Sequence, residues 1–252
     1  MLRKRNNPKL RAIALMAIIV IGTLSCNKKK ETTPETTVKS EVLSLKTIDI
    51  EPLKINDITI VPKIHFNKME TNIVNKKIEN NDPNTSILNE NDILLIKTKI
   101  DTAKNETYAI YFGIGMSLDP HFSIFNNDSL VGVIEGVELS IPGNGTLYSN
   151  GHTNNLYNEF RAWELVSNKL EEIKQPLQYV GLKTVALSDF AIHADTLQQF
   201  TVATITKGDS IELLVQENDF FLIRNAHNLV GWWKIDDPLK SKQVNNLFYL
   251  GD

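Results

Sequence analysis

The residue types that most often carry out chemistry are sparse in this chain of 252 residues. Cys26 is its single cysteine, and the five histidines are spread along the sequence. No two histidines have the spacing of a metal site, and no His-Glu-x-x-His motif occurs. The sequence also lacks a Gly-x-Ser-x-Gly nucleophile motif and an Asp-rich calcium loop. We therefore expect a protein that is not an enzyme and that needs no metal or cofactor.

One polar segment, NGTLYSNGHTNNLYNEF at residues 144–160, is the best candidate for a binding site in the first part of the chain. Its side chains could bind a sugar or a peptide, or hold a metal ion through His152 and Glu159. The alternative, which we favour, is a loop whose Asn side chains hydrogen-bond their own backbone. The candidate residues of this polar patch are Asn150, His152, Asn154, Asn155 and Glu159.

The N-terminus has the order basic, apolar, small and cysteine. Five Lys and Arg residues come first, then a largely apolar run at residues 12–24, then Ser25 and Cys26. The run is too short for a comfortable membrane span and is typical of a signal peptide. The order resembles the lipobox of bacterial lipoproteins, in the relaxed Ser-Cys form of Bacteroidota. This resemblance implies that residues 1–25 are cleaved and that Cys26 is acylated and inserts in the bilayer of the cell envelope, on the periplasmic face or the outer surface.

Cleavage would change the charge of the protein. Removing five of 27 basic residues leaves 22 against 30 acidic residues, a net charge of −8. An acidic chain of this kind is not expected to bind nucleic acid. Residues 26–45 are rich in Lys, Thr and Glu, a composition that predicts a flexible tether.

The folded part is predicted to be mainly β. Short runs of β-branched and aromatic residues, such as DILLIKTKI, TYAIYFGI and HFSIFN, alternate with turn residues such as PGNG. This spacing predicts an N-terminal domain at residues 46–176 that is built as an antiparallel β-meander.

Two segments of this domain are open to more than one interpretation. Residues 65–79 place apolar side chains on one helical face and predict a helix. Residues 159–176 also have helical spacing, but they can form two strands around the turn Ser167-Asn168-Lys169. We favour the hairpin for this second segment.

The last quarter of the chain resembles a bacterial SH3-like domain. The resemblance rests on KGDSIELL, then FFLI, then LVGWWKI, at residues 207–235. It implies a small β-barrel at residues 177–240, followed by a tail at residues 241–252. The segment FAIHADTLQQF departs from the family pattern, so ligand contacts known for that part of relatives are not expected here.

Four aromatic residues of this module are candidates for ligand binding. Successive side chains of a strand point to opposite faces, so one Trp of the Trp-Trp pair can fill the barrel while the other is at least partly exposed. The exposed ring could recognise a peptide, a cell-wall fragment or a partner protein. The alternative is an accessory or structural subunit in which that ring packs within the chain, and an enzyme using the polar patch ranks last. The candidate residues are Phe220, Phe221, Trp232 and Trp233.

The lipoprotein interpretation makes a direct prediction about Cys26. Replacing Cys26 by Ala removes the only thiol that can receive a lipid, so we expect an unlipidated precursor that keeps residues 1–25. Mass spectrometry of the membrane fraction measures both changes, with Thr32→Ala as a control that retains the thiol. Recovery of a normally processed, membrane-held C26A protein would contradict the prediction.

Overall fold

The computed structural model describes residues 45–55, 58–78, 88, 89, 91–115, 119–240 and 242–251. The predicted signal peptide, Cys26 and all of the predicted tether except residue 45 lie outside the described residues. Among the helices of the described ranges, none has the length and apolar character needed to cross a bilayer.

The described part of the chain is mainly β, as predicted. Its one helix is a single 3-10 turn at Lys68–Glu70. The strands are Lys46–Asp49 (β1), Leu53–Ile55 (β2), Ile58–Ile60 (β3), Lys63–Phe66 (β4), Thr71–Lys77 (β5), Ile93–Thr98 (β6), Tyr108–Ile114 (β7), Pro120–Asn126 (β8), Ser129–Glu135 (β9), Glu138–Ile141 (β10), Thr146–Gly151 (β11), Glu159–Val166 (β12), Lys169–Glu172 (β13), Gln178–Val185 (β14), Phe190–His193 (β15), Thr201–Ile205 (β16), Ser210–Glu217 (β17), Phe220–Asn225 (β18) and Val230–Lys234 (β19).

Besides the antiparallel two-stranded sheet of β2 and β3, two larger sheets are built from the first part of the chain. Strands β5 to β9 form a five-stranded meander in which each strand pairs antiparallel with the next. This confirms the predicted antiparallel meander for β6 to β9, whereas β5 lies in the segment that was predicted to be a helix. A six-stranded sheet, which we call the first large sheet, has the order β1-β4-β10-β11-β12-β13. Its pairs are antiparallel except β4 with β10, which run parallel. Two parallel strands need a long connection between them. Here the five-stranded meander, which lies between β4 and β10 in sequence, forms this connection.

These two sheets share one hydrophobic core. Phe66, Leu139 and Leu147 of the first large sheet are fully buried with Phe112 and Phe122 of the meander. Each such side chain contributes roughly 1.5–3 kcal/mol when it leaves water. The inner faces of both sheets are therefore committed to packing. The other face of the meander carries a third, smaller cluster that includes Leu88, Tyr111 and Phe125.

The two ambiguous segments have different outcomes. The helix predicted at residues 65–79 is wrong, because the segment consists of the end of β4, the 3-10 turn and β5. Its supposed apolar face does not pack as one surface, since Phe66 is fully buried, whereas Met69 is 90% exposed and Ile73 is 41% exposed. The hairpin at residues 159–176 is confirmed as β12 and β13. Ser167 and Asn168 both have positive φ, 50° and 60°, as a tight two-residue hairpin turn requires.

The second large sheet is built from the last part of the chain, in the order β14-β17-β18-β19-β15-β16. Among the described residues no pairing joins its edge strands β14 and β16, so the sheet is not closed as the implied barrel would be. A second core lies on its inner face and includes Phe190, Leu213 and Ile223. Val244 and Leu247 of the tail are buried in this core, so the tail belongs to the folded structure.

The main chain makes one unusually close approach where β11 ends. A Cβ atom on Gly151 would lie 2.5 Å from Cα of Gly136, and Val137 N donates to Asn150 O at 3.0 Å. Because the opposing atoms belong to the backbone, they cannot rotate away as a side chain would. Gly151 is thus required for the first large sheet to fold against the loop before β10.

We predict that Gly151→Ala destabilises the protein by about 1–3 kcal/mol, the usual cost of forcing an extra carbon into a tight contact. Urea unfolding measures the change. Gly115→Ala is the matched control, because its Cβ would meet the nearest atom at 3.6 Å, and we expect a change within about 0.5 kcal/mol. Equal stability of the two variants would show that the close approach relaxes without cost.

Candidate functional site

The aromatic residues of the second large sheet are divided between its two faces. Phe221 and Trp233 point inward, with 0% and 4% of their surface exposed. Their ring centroids are 5.8 Å apart, and Phe190 lies 5.1 Å from Trp233 on its other side. These two candidate residues are therefore part of the core and have no surface for a ligand.

Phe220 and Trp232 point outward and are partly exposed. Trp232 lies between Leu222 and His193, which are its partners in the two neighbouring strands. Phe220 pairs with Lys234, whose Nζ is 5.9 Å from the Phe220 ring centroid. Lys234, the partner of Phe220, is two residues from Trp232 in the same strand. The Phe220 and Trp232 rings are therefore diagonal neighbours on one face. The structure thus confirms that one Trp fills the core and the other is partly exposed, and it leaves Phe220 and Trp232 as the residues that can meet a ligand.

The polar patch is not brought together as one site. Asn150 lies on the outer face of β11, where its Nδ2 donates to Glu138 Oε2 at 3.4 Å. Asn154 and Asn155 lie in the loop after β11, and Asn155 Nδ2 donates back to Gly151 O at 3.3 Å. This last contact is of the local kind expected for a loop that satisfies its own backbone.

The His152 side chain hydrogen-bonds both this loop and the C-terminal tail. Its Nε2 atom lies 3.0 Å from the carbonyl oxygens of both Asn155 and Phe248, so an Nε2–H is shared between two acceptors. The His152 and Phe248 rings are 5.0 Å apart. Leu250 N also donates to Asn155 O at 3.0 Å. His152 is therefore a structural contact between two segments rather than a free ligand.

Glu159 is held by its own strand neighbour. Arg161 donates from Nε and Nη2 to one oxygen of Glu159, at 2.8 and 2.5 Å. Both residues line a polar cavity of about 360 Å³ together with residues of β13, β14 and β17. The cavity is lined by Glu159, Arg161, Glu172, Gln175, Pro176, Gln178, Gln216 and Asn218.

Buried ionisable groups include Tyr157, beside the predicted polar patch, and Asp92, which lies far from it in sequence. Burial, with a further contribution from Glu159, raises the pKa of the Tyr157 phenol well above its usual value, so the group stays protonated. Burial also raises the pKa of Asp92, against the lowering effects of the Asn89 backbone amide and of His121. Asp92 is 2% exposed and occupies the space above Gly113 in the meander. Within the described residues, no three His, Cys, Asp or Glu side chains meet in a way that could hold a metal ion.

The outer face of the first large sheet holds polar residues that the sequence did not single out. His65 Nε2 lies 2.7 Å from Glu138 Oε1, and His65 Nδ1 lies 2.7 Å from Thr47 Oγ1. The contact joins residues 73 positions apart through the parallel pairing of β4 and β10. Strand alternation in KIHF and ELSI indicates which residues face outward, but no local signal predicts that these strands are neighbours.

No family model, no curated protein and no solved structure matches this chain.

The role given to His152 can be tested with His152→Ala. Losing the shared donor removes one of the contacts that hold the end of the tail, so we expect faster hydrogen exchange at the Phe248 and Leu250 amides. The Asn245 amide, which donates to Val185 O at 3.0 Å, should keep its protection. We also expect a loss of roughly 1 kcal/mol of stability.

The matched control for this experiment is His227→Ala, because His227 is an exposed residue in the turn after β18. Unchanged exchange at Phe248 and Leu250 in the H152A protein would show that His152 does not hold the tail.

Proposed function

We propose that the protein is a non-catalytic lipoprotein of the cell envelope, held to a bilayer by acylated Cys26. Its SH3-like module, residues 177–240, binds a peptide segment that belongs to a cell-wall fragment or to a partner protein. The observation that carries this proposal is the outward pair Phe220 and Trp232, which occupies the open face of a sheet whose other face is filled by the second core.

The motif residues behind the SH3-like resemblance have local physical roles that support the proposal. Gly208, in the turn before β17, has φ of +95°, a conformation that other residues rarely adopt. A Cβ atom on Gly231 would lie 2.9 Å from His193 O, so glycine is needed for β19 to approach β15. The Gly231-Trp232 pair thus combines a close strand contact with an outward aromatic ring.

The surroundings of the aromatic pair fit a peptide ligand. Lys234 adds a positive charge beside Phe220, and Arg224 pairs with Glu212 further along the same face. Next to that ion pair is an open cavity of about 540 Å³ lined by ends of β14, β17 and β18. Apolar anchors surrounded by charged and polar groups are the usual composition of a protein-recognition surface.

A second candidate function, an accessory or structural subunit, is favoured by how the module packs within the chain. Leu156 and Tyr157, from the loop after β11, are buried in the second core together with the tail. Gln178 Nε2 also donates to Phe160 O at 2.6 Å, which joins β14 to β12. In this alternative the module is fixed inside the chain and needs no ligand of its own.

Retention on envelope material tests the binding proposal. The lipidated protein, in detergent, is incubated with insoluble peptidoglycan and with immobilised envelope extract. We expect retention on one of them, reduced about tenfold by Trp232→Ala and by Phe220→Ala, because a buried aromatic anchor contributes about 1.4 kcal/mol or more.

Met69→Ala is the control for an exposed apolar side chain on another part of the protein, since Met69 is 90% exposed. Far-ultraviolet circular dichroism and thermal unfolding check that each variant is folded. No retention on either material, or equal retention of all variants, would reject the binding function and leave the accessory subunit as the remaining candidate.

A further inference from the structure

The outer face of the first large sheet carries two adjacent rows of side chains. The register places His65 beside Ser140, Ser140 beside Tyr148 and Tyr148 beside Ala162. The second row runs parallel to it, through Lys63, Glu138, Asn150 and Phe160. Four strands contribute to each row, so the rows span three strand spacings, about 14 Å.

A chain of hydrogen bonds fixes the polar end of these rows. A carboxylate can only accept, so His65 donates Nε2–H to Glu138 Oε1. The other ring nitrogen, Nδ1, is hydrogen-bonded to the Thr47 hydroxyl at 2.7 Å. Asn150 Nδ2 donates to the other oxygen of Glu138. The hydroxyl oxygen of Thr47 and the carboxylate of Glu138 keep lone pairs that can accept from a ligand. Their orientation is set before any ligand arrives, which lowers the entropy cost of binding.

Two aromatic rings form the other end of the rows. Tyr148 is 45% exposed and Phe160 is 50% exposed. Phe160 is two residues from Ala162, the partner of Tyr148, so the rings are diagonal neighbours and within reach of each other. Exposed aromatic rings provide a flat apolar surface, and the Tyr148 hydroxyl adds a polar group at its edge.

The layer beneath this face is rigid. Leu139 and Leu147, the inward neighbours of these residues, are fully buried in the core shared with the meander. Trp163 Nε1 donates to Ser149 Oγ at 3.0 Å on the same inner side. The outward side chains therefore stand on a backbone that cannot easily adjust, as a preformed binding surface requires.

We propose that this face binds a short neutral oligosaccharide. The ring faces of hexoses are apolar and match Tyr148 and Phe160, while their hydroxyl groups can donate to the fixed acceptors at the other end. Within the two rows the charged side chains are one cation and one anion, Lys63 and Glu138, so the rows themselves carry no net charge. The length of the rows favours an extended oligosaccharide over a single sugar.

Saturation-transfer NMR on the intact chain in detergent tests the proposal, with cellohexaose, xylohexaose, mannohexaose and chitohexaose as probes. We expect at least one of these hexasaccharides to bind. Tyr148→Ala and Phe160→Ala should each weaken its affinity about tenfold, equivalent to about 1.4 kcal/mol. Glu138→Gln, which keeps the shape but not the charge of the acceptor, should also weaken binding.

The matched control is Phe200→Ala, because Phe200 is 68% exposed and lies in the loop directly before β16, away from the first large sheet. It should bind the hexasaccharide as the unaltered protein does. Failure of all four probes to bind would overturn the proposal, as would equal losses in the F160A and F200A proteins. If Y148A and F160A change the oligomeric state but not oligosaccharide binding, the face is a contact between copies and the proposal is also overturned.

Discussion

The structure depends on the two-residue alternation of side chains along its strands. In the described residues no α-helix covers a sheet, so each large sheet must bury one face through its own inward side chains. In the two large sheets this commits the inward residues to one of two main cores and leaves the intervening residues on the outer faces. A shift of one residue in any pairing would expose Phe66, Phe221 or Trp233 and would bury charged groups instead. The same constraint decides where a ligand can bind, because only the outward set is available.

Both proposed surfaces follow from this alternation. In the second large sheet, adjacent aromatic residues separate into an inward pair, Phe221 and Trp233, and an outward pair, Phe220 and Trp232. In the first large sheet, the outward residues include Tyr148 and Phe160 beside a hydrogen-bonded polar group. The two surfaces are chemically different, since one has charged groups at its rim and the other has a balanced, largely uncharged composition. The two proposals accordingly assign a peptide to one surface and an oligosaccharide to the other.

The sequence was informative where the determining interactions are local. Strands β6 to β9 of the meander and the turn at Ser167 and Asn168 follow from β-branched runs and turn residues, and the structure has them as predicted. The helix prediction at residues 65–79 is wrong because apolar residues at helical spacing also occur where a strand, a turn and another strand follow one another. Phe66 is buried in β4, whereas Met69 is exposed in the 3-10 turn. Non-local contacts could not be predicted. The parallel pairing of β4 and β10 brings His65 to Glu138, and the docking of the tail brings Phe248 to His152. Without these contacts, the polar segment at residues 144–160 looked like one patch, whereas the structure divides it among a sheet face, a tail contact and a cavity wall.

Hydroxyl-radical footprinting with mass spectrometry tests most directly which side chains point inward and which point outward, because it reports the solvent access of individual aromatic side chains. The chain has three tryptophans, and two of them are adjacent, so Trp232 and Trp233 give an internal comparison. We predict that Trp232, Tyr148 and Phe160 are oxidised readily, and that Trp233 and Phe221 are protected until the protein unfolds. Oxidation of Trp233 at the same rate as Trp232 in the folded protein would contradict the assignment of inner and outer faces, and with it both proposed surfaces.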